Sequence, residues 1–327
     1  MILAGDIGGT NARLAYFQPQ NGHLHLVSEK VFPSREHHEF GEIVEQFLEG
    51  SSTRPDSACF GIAGPVRNGR VETSNLPWII EQSHLAKQIH LPSTWLINDL
   101  EASAWGVGGL AAGDLVALNR VTGRAVGNQA VIAPGTGLGE AGLFWDGSRH
   151  HVFACEGGHT DFAPQGDLQI ELLRFLHHRF GHVSNERILS GPGLVNVYEF
   201  LKESGCAKED PALAEEMTRD DGAAAISRAA LFGKNVLAEK ALDIWVAVYG
   251  AEAGNLALKT MATGGIFLGG GISPKVLAKL TGPIFMQAFL EKGRLRSLVE
   301  AIPVQVITND KAGLLGAARC AAARGKG

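Results

Sequence analysis

Apolar and polar residues in the first fifty positions follow two different periods. Apolar runs at residues 2–4 and 14–17 flank a glycine-rich segment and predict a β-hairpin whose tip extends from Gly5 to Arg13. From Phe40 onward, apolar residues recur at i, i+3, i+4, i+7 and i+8, which predicts an amphipathic helix over residues 36–49. The chain therefore begins with a predicted hairpin and a predicted helix.

Two further strands are predicted where apolar runs end at turn-forming residues. Residues 58–63 lead into Gly64, and residues 94–97 lead into Asn98 and Asp99. This alternation of strands and helices is typical of an α/β domain with a mostly parallel sheet. We expect this first domain to cover residues 1–110.

Near residue 110 the same pattern starts again. Residues 130–133 and 141–145 are strand-like and flank the glycine-rich segment 134–139, so they predict a second hairpin of the same kind. The recurrence indicates a degenerate internal repeat of one fold. We expect the second domain to cover residues 111–307.

The last third of the second domain contains another glycine-rich segment between periodic elements. Residues 266–268 predict a strand that enters this segment, and Ser273 followed by Pro274 predicts the start of a helix beyond it. The other predicted elements are helices over residues 168–180, 233–262 and 310–324 and a strand over residues 304–307.

The charged residues and the cysteines limit the partners and the cellular compartment that we expect for this protein. The 327 residues include 29 basic and 34 acidic side chains, a net charge of −5, and the basic ones form no cluster of the kind that binds nucleic acid. The N-terminus lacks the features of a signal peptide, and no apolar run approaches the roughly 18 residues of a membrane span. The four isolated cysteines are typical of reduced thiols. We therefore expect a cytoplasmic protein that binds neither nucleic acid nor membranes.

Glycine is the strongest compositional signal. There are 42 glycines among the 327 residues, well above the average usage of about 7%. They cluster after apolar runs, at Gly8 and Gly9, at Gly135, Gly137 and Gly139, and at residues 269–271. Such clusters indicate places where the backbone turns sharply or closely approaches another group.

The first glycine cluster, at Gly8 and Gly9, has features suited to binding an anion. The segment from Asp6 through Ile7, Gly8, Gly9 and Thr10 to Asn11 is neither a Walker A loop nor a Rossmann fingerprint. Its backbone N–H groups and the Thr10 hydroxyl can point at one phosphate, and Asp6 can hold the water shell of a nucleotide-bound Mg²⁺. The alternative is an ordinary glycine hairpin.

The second and third clusters extend this hypothesis. Gly135, Thr136 and Gly137 form another turn with a hydroxyl beside it, so two such turns can clamp a polyphosphate. Gly269, Gly270 and Gly271 suit the close approach of a flat adenosine. A plain turn between strand and helix remains the alternative for this third cluster.

The sequence from Gly5 to Arg13 resembles the first phosphate loop of the bacterial glucokinases, members of the hexokinase–actin–Hsp70 superfamily. Residues 135–139 are similar to the family's second phosphate loop, and residues 269–272 to its adenosine segment. The resemblance implies a duplicated ribonuclease-H-like fold, the two-lobed fold of the actin-like ATPases, with an active-site cleft between the lobes. It also implies that a C-terminal helix within residues 308–327 packs back onto the small first lobe.

The resemblance also implies a sugar site. Asn98 and Asp99 are similar to the family's Asn–Asp pair, in which the aspartate accepts the proton of the attacking hydroxyl. An alternative for Asp99 is that it caps the helix that follows it. Glu156, His159 and Glu186 are similar to the remaining hexose ligands, and Asn75 is expected in the same pocket. A core or metal histidine is the alternative for His159; the zinc motif of the ROK kinases is absent.

The predicted activity is transfer of a phosphoryl group from MgATP to the 6-hydroxyl of glucose. One rival is a related kinase acting on fructose, mannose or an N-acetyl sugar. Another is a sugar-responsive binding protein, or a nucleotide-switched protein of the actin or Hsp70 type, which has no use for the predicted sugar ligands. The sequence leaves ADP or polyphosphate open as the donor, and a homodimer is implied by the resemblance alone.

Overall fold

A computed structural model describes residues 1–50, 53–73, 76–123, 125–219, 221–233 and 235–325. The chain divides into two compact units. Unit 1 contains Met1–Asp114 together with Asn309–Gly327, and unit 2 contains Leu115–Thr308.

The strands, in chain order, are β1 (Ile2–Ile7), β2 (Asn11–Gln20), β3 (His23–Pro33), β4 (Ser57–Ile62), β5 (Arg70–Glu72), β6 (Ile79–Glu81), β7 (Thr94–Asn98), β8 (Leu115–Ala117), β9 (Gln129–Pro134), β10 (Leu138–Trp145), β11 (His150–Cys155), β12 (Gly265–Leu268) and β13 (Val304–Ile307). The helices are α1 (Phe40–Glu49), α2 (Gln82–Gln88), α3 (Asp99–Val107), α4 (Gly166–Phe180), α5 (Gly191–Glu203), α6 (Pro211–Arg219), α7 (Gly222–Leu231), α8 (Val236–Thr260), α9 (Leu277–Leu280), α10 (Pro283–Leu290), α11 (Arg296–Glu300) and α12 (Ala312–Arg324). None of the helices in the described part of the chain is both long and apolar enough to cross a membrane.

The main sheet of unit 1 has the strand order β3-β2-β1-β4-β7. Strands β1, β2 and β3 pair in antiparallel fashion, whereas β1, β4 and β7 run parallel. The carboxyl ends of the three parallel strands therefore meet at one edge of the sheet, where α/β proteins bind their ligands. A separate hairpin pairs β5 with β6.

Helix α12 closes one face of this sheet. It packs against α3, β1 and β4, and its buried residues include Leu314 and Cys320. A Cβ on Gly316 would overlap the backbone carbonyl of Ala102, and a Cβ on Gly106 would overlap that of Ala312. Glycine therefore sets the close approach of α3 and α12.

Helix α1 covers other apolar residues of unit 1 and is shorter than its predicted range of 36–49. Ser34–Glu36 forms a separate 3-10 turn, and His37 after it is extended, with φ −121° and ψ 143°. The α-helix consequently begins at Phe40, whose ring packs edge-on to Phe60 with centroids 5.0 Å apart. The predicted apolar face is buried, but the polar residues that precede it are not helical.

Unit 2 repeats the pattern of strands in unit 1. Its sheet has the order β11-β10-β9-β12-β13-β8. Strands β9, β10 and β11 are antiparallel neighbours, β9, β12 and β13 are parallel, and β8 pairs antiparallel with β13. Each sheet thus places an antiparallel meander beside parallel strands. Helix α8 lies in the core of this unit, with Trp245 and Tyr249 fully buried.

The prediction that a helix starts at Ser273 is wrong. The next α-helix is α9, which begins at Leu277, and the preceding residues form turns. The buried Ser273 hydroxyl donates a hydrogen bond to the carbonyl of Gly269 at 2.6 Å and lies 3.0 Å from the Tyr249 hydroxyl. Ser273 therefore closes the glycine-rich loop onto α8 instead of capping a helix.

Candidate active site

The first glycine turn is tighter than predicted. Strand β1 continues through Ile7 and β2 resumes at Asn11, so the turn consists of residues 8–10 and not the predicted span from Gly5 to Arg13. The Gly8 N–H donates to the Asn11 carbonyl at 2.9 Å. The buried Ser34 holds the turn from outside: its hydroxyl donates to the Gly8 carbonyl and its N–H to the Thr10 carbonyl, each at 2.9 Å.

The flanking residues of this turn have different surroundings. Gly5 is buried in β1, and a Cβ there would meet Phe60 and Leu14 side-chain atoms at 2.6 and 2.8 Å. The missing side chain of Gly5 thus serves core packing. The Ile7 side chain is also buried, whereas Thr10 and Asn11 are exposed and available to a ligand.

Asp6 lies near the end of β1, opposite Arg13 of β2. Burial raises the pKa of its carboxyl, the guanidinium of Arg13 lowers it in part, and Asp310 raises it further. The start of α12 is close by, since a Cβ on Gly313 would lie 3.4 Å from an Asp6 carboxylate oxygen. A single carboxylate beside a phosphate turn suits Mg²⁺, which keeps most of its waters and binds through one or two protein oxygens plus phosphate.

The Asn98–Asp99 pair lies at the carboxyl end of β7. Asn98, not Asp99, caps α3: its Oδ1 accepts a hydrogen bond from the Leu100 N–H at 2.8 Å, and its Nδ2 donates to the Gly64 carbonyl at 3.0 Å. Asp99 is the first residue of α3 and accepts from the same Leu100 N–H at 3.0 Å. The alternative that Asp99 is the helix cap is therefore wrong, and Asn98 has an evident structural task.

These residues share one sheet edge with the first glycine turn. Strand β4 separates β1 from β7, and neighbouring strands lie about 4.8 Å apart, so the ends of β1 and β7 are separated by roughly 10 Å. Asp6, residues 8–10 and Asp99 thus lie within unit 1 at the same edge of the sheet. Asn75, the remaining predicted residue of this unit, lies outside the described residues.

The second glycine turn, Gly135, Thr136 and Gly137, joins β9 to β10 in unit 2. The Gly135 N–H donates to the Gly137 carbonyl at 2.8 Å, and the Gly135 carbonyl accepts from the Gly191 N–H at 2.9 Å. Gly191 is the first residue of α5, so the turn lies at the positive end of a helix. The N-terminus of a helix favours an anion nearby.

The third glycine segment lies beside the second turn. The Gly269 N–H continues the sheet by donating to the Ile132 carbonyl of β9 at 2.9 Å. Gly270 has φ +77°, and a Cβ there would overlap the Pro134 carbonyl, so glycine is required at this position. Gly271 faces open space, which leaves room for a ligand.

One of the three predicted sugar ligands of unit 2, Glu186, lies against the same turn. Glu156 and His159 are exposed at either end of a 3-10 turn that follows β11. The carboxylate of Glu186 accepts a hydrogen bond from the Leu138 N–H at 2.9 Å, directly after the second glycine turn. A Cβ on Gly137 would overlap this carboxylate. The structure thus places a predicted sugar ligand against a predicted phosphate loop, which the sequence did not indicate.

Three supporting residues were missed by sequence reasoning. Asn185 donates from its side chain to the Thr160 hydroxyl at 3.2 Å and from its backbone to the Thr160 carbonyl at 2.9 Å, which joins the Glu186 segment to the His159 segment. Ser34 supports the first turn as described above. Glu140 is buried beneath the 3-10 turn that contains Gly157. Asn185 stands next to the predicted ligand Glu186, which is a signal that the sequence offers for it, whereas Ser34 lies far along the chain from the first glycine turn that it supports.

Within the described ranges, no group of three or more histidine, cysteine, aspartate or glutamate side chains could hold a metal ion. The single carboxylate of Asp6 remains the predicted contact for a nucleotide-bound ion.

Comparison with known proteins identifies the family. The Glucokinase family model matches residues 3–324. A glucokinase of Trichormus variabilis is 41% identical over 339 aligned residues, which cover 98% of this chain and 99% of that protein. One of Synechocystis sp. is 39% identical over 346 residues, with 98% of each chain covered.

Solved structures agree with this assignment. The crystal structure of a glucokinase from an Antarctic psychrotroph matches with a TM-score of 0.86 and 31% identity, covering 98% of each chain. A glucokinase from Balamuthia mandrillaris, crystallised with glucose, matches with a TM-score of 0.77 over 100% of this chain and 93% of its own. At 22% identity, this likeness supports the fold alone. By sequence and by α/β fold, the chain belongs to the glucokinase family.

Proposed function

We propose that this protein transfers the γ-phosphoryl group of ATP to the 6-hydroxyl of glucose, giving glucose 6-phosphate and ADP. The observation that carries the proposal is the hydrogen bond between Glu186 and the Leu138 N–H. A carboxylate suited to a sugar hydroxyl lies on a glycine turn suited to a phosphate, so acceptor and donor can share one site. The glucokinase relatives at up to 41% identity point to glucose as the sugar.

The proposed reaction requires little covalent chemistry from the protein, because catalysis of phosphoryl transfer depends mostly on positioning and charge stabilisation. Asp99 accepts the proton of the attacking hydroxyl as the new bond to phosphorus forms. Glu156, His159 and Glu186 orient the sugar through hydrogen bonds to its hydroxyls. The backbone N–H groups of the two glycine turns hold the phosphates, and residues 269–271 receive the adenosine.

Asp6 is the proposed protein contact for Mg²⁺, through water. Burial raises the pKa of its carboxyl. A nearby cation would act in the opposite direction, because it favours the ionised form. The ion would supply charge neutralisation on the phosphate oxygens. Arg13, opposite Asp6 in the hairpin, also favours the ionised form through its positive charge.

We also propose which type of α/β fold the chain adopts. It is a duplicated ribonuclease-H-like fold with lobes at residues 1–110 plus 308–327 and at residues 111–307. The matching strand patterns of the two sheets support the duplication. A homodimer remains a prediction from the resemblance, and a cytoplasmic location remains a prediction from the sequence.

The proposal is tested with purified protein in a coupled kinase assay over a panel of hexoses and donors. Glucose with MgATP should give the highest kcat/KM, and omission of Mg²⁺ should abolish turnover. A preference for fructose, mannose or an N-acetyl sugar would move the protein to the rival hexose kinase. Absence of turnover with every pair, together with tight nucleotide binding, would favour a binding protein instead.

A further inference from the structure

Glu140 occupies an unusual position beneath the predicted sugar ligands. It lies in β10 opposite Cys155 of β11 and is only 2% exposed. Its carboxylate lies so close to Gly157 that a Cβ there would overlap it. Gly157 begins the 3-10 turn that carries Glu156 and His159, which we call the sugar loop (residues 156–159). The sugar loop therefore rests directly on a buried carboxyl group.

This carboxyl group is poorly compensated as a charge. Its Oε1 is buried and has no hydrogen-bond partner among the described residues. Most buried polar groups in proteins have such a partner, and an exception calls for an explanation. The Gly157 N–H, the nearest backbone donor of the sugar loop, points instead to the Cys155 thiol.

The titratable groups around Glu140 come from four elements. Helix α8 contributes Glu252, Lys259 and Tyr249, the end of β11 contributes Cys155, the sugar loop contributes Glu156 and His159, and the segment after α10 contributes Lys292 through its interaction with Glu252. Glu252 is 3% exposed and is already bonded, because Asn255 donates to it at 2.9 Å and Lys259 at 3.1 Å. Lys292 donates to the Ala251 carbonyl at 2.9 Å.

We propose that Glu140 is a positioning residue that holds the sugar loop in its binding conformation as a neutral carboxylic acid and releases it on ionisation. The inference rests on the proposed function of this loop. An ionised carboxylate with an unpartnered buried oxygen is costly, so the ionised group favours contact with water. The way to water is displacement of the loop that covers it. The negative charge of Glu252 opposes ionisation further.

The balance between the two forms falls in the physiological range. Burial raises the pKa of Glu140 to about 7; the charge of Glu252 raises it further, and Lys259 lowers it in part. The neutral form dominates below this pH and the ionised form above it. Affinity for the sugar should therefore fall as the pH rises through 7, while affinity for the nucleotide should be affected less.

The test compares wild type with Glu140→Gln, which is neutral at every pH and similar in shape. KM for glucose at saturating MgATP and the Kd of glucose by calorimetry are measured from pH 6 to 8.5. If only the neutral form binds, both constants should rise about tenfold by pH 8 in the wild type, as for any group with a pKa near 7. Both should stay near their low-pH values in Glu140→Gln. A pH dependence that is unchanged in the variant would assign it to His159 or another group and overturn the proposal.

A second variant keeps Glu140 and moves its titration. Lys259 is half exposed on α8 and lowers the pKa of Glu140, so Lys259→Met should shift the rise in the glucose Kd to higher pH. An unshifted rise, or a wild type whose glucose Kd is flat from pH 6 to 8.5, would contradict the proposal. Failure of the proposed function has a different signature: no sugar is phosphorylated at any pH, and the calorimetric comparison alone then decides the role of Glu140.

Discussion

At the scale of single residues, Asn98 and Asp99 show how neighbouring polar side chains divide their tasks. Asn98 caps α3 and ties it to Gly64, whereas Asp99 begins the helix. The capping role that the sequence allowed for Asp99 belongs to its neighbour. The two residues can therefore be separated by mutation.

Asp99→Asn should keep the fold and bind glucose within a modest factor of wild type, but should lose kcat by at least about a hundredfold. Asparagine cannot accept the hydroxyl proton, and general-base catalysis contributes roughly 10²–10⁴-fold. Steady-state kinetics with a melting curve checks this. Asn98→Ala is the matched comparison: loss of the cap should cost about 1 kcal/mol of stability. Retention of most turnover by Asp99→Asn would rule out the catalytic base.

Gly137→Ala should weaken the binding of both ATP and glucose. Its Cβ would displace the Glu186 carboxylate as well as alter the phosphate turn. From the sequence alone, a change at Gly137 would be expected to weaken nucleotide binding more than sugar binding, so the structure changes this expectation. Gly135→Ala is the control in the same turn, since its Cβ would face open space. It should change KM for ATP without changing KM for glucose. Identical effects of the two variants on both KM values would mean that Glu186 is not coupled to the turn.

Glu140 should also make stability depend on pH. Its pKa rises from 4.5 to about 7 on folding, so between these values the native state binds more protons than the unfolded state. The free energy of unfolding should therefore fall as the pH rises through this window, by about 3 kcal/mol in total. Urea titrations at pH 5 and pH 8 should show this loss in the wild type and not in Glu140→Gln. An equal loss in both proteins would place the titration elsewhere.

At the scale of elements, the sequence predicted strands better than loop contacts. Periodicity located β4, β7, β9 and β13 within one or two residues, because buried strands and their turns carry local signals. It could not show that Ser273 bonds back to Gly269, or that Ser34 holds the first glycine turn. Such contacts depend on tertiary packing, which local propensity does not encode. The burial of Glu140 escaped prediction for the same reason.

The contact between α3 and α12 gives a test at this scale. Gly316→Ala should destabilise the protein by about 1–3 kcal/mol, since the new methyl group would overlap the backbone of Ala102. Gly222→Ala at the start of α7 is the control, because the nearest atom there would lie at an ordinary 3.5 Å. It should be neutral or slightly stabilising. Thermal melts of both variants measure the difference, and equal melting temperatures would argue against close packing of the two helices.

At the scale of the whole molecule, both sheets combine an antiparallel meander with parallel strands and gather predicted ligand groups near the carboxyl ends of those strands. The repeated hairpins could be predicted because each repeats a glycine-rich turn between two apolar runs. Asp6 and Asp99 come together only through the order β1-β4-β7, and Glu186 meets the second glycine turn only through the path of the chain between β11 and α5. The sequence thus supplied the candidate residues, and the topology supplied their neighbours.

The position of α12 has a consequence for synthesis on the ribosome. Unit 1 contains the first 114 residues but also needs residues 309–327, so its N-terminal part stays incomplete until the 194 residues in between (115–308) have been synthesised. At about 5–20 residues per second, that wait lasts roughly 10–40 s. Unit 2, though later in sequence, is then the first to fold completely, and the nascent N-terminal sheet exposes the apolar face that α12 will cover. Limited proteolysis of arrested nascent chains should find unit 2 protected before unit 1, and this order makes the early sheet the part of the protein most in need of a chaperone.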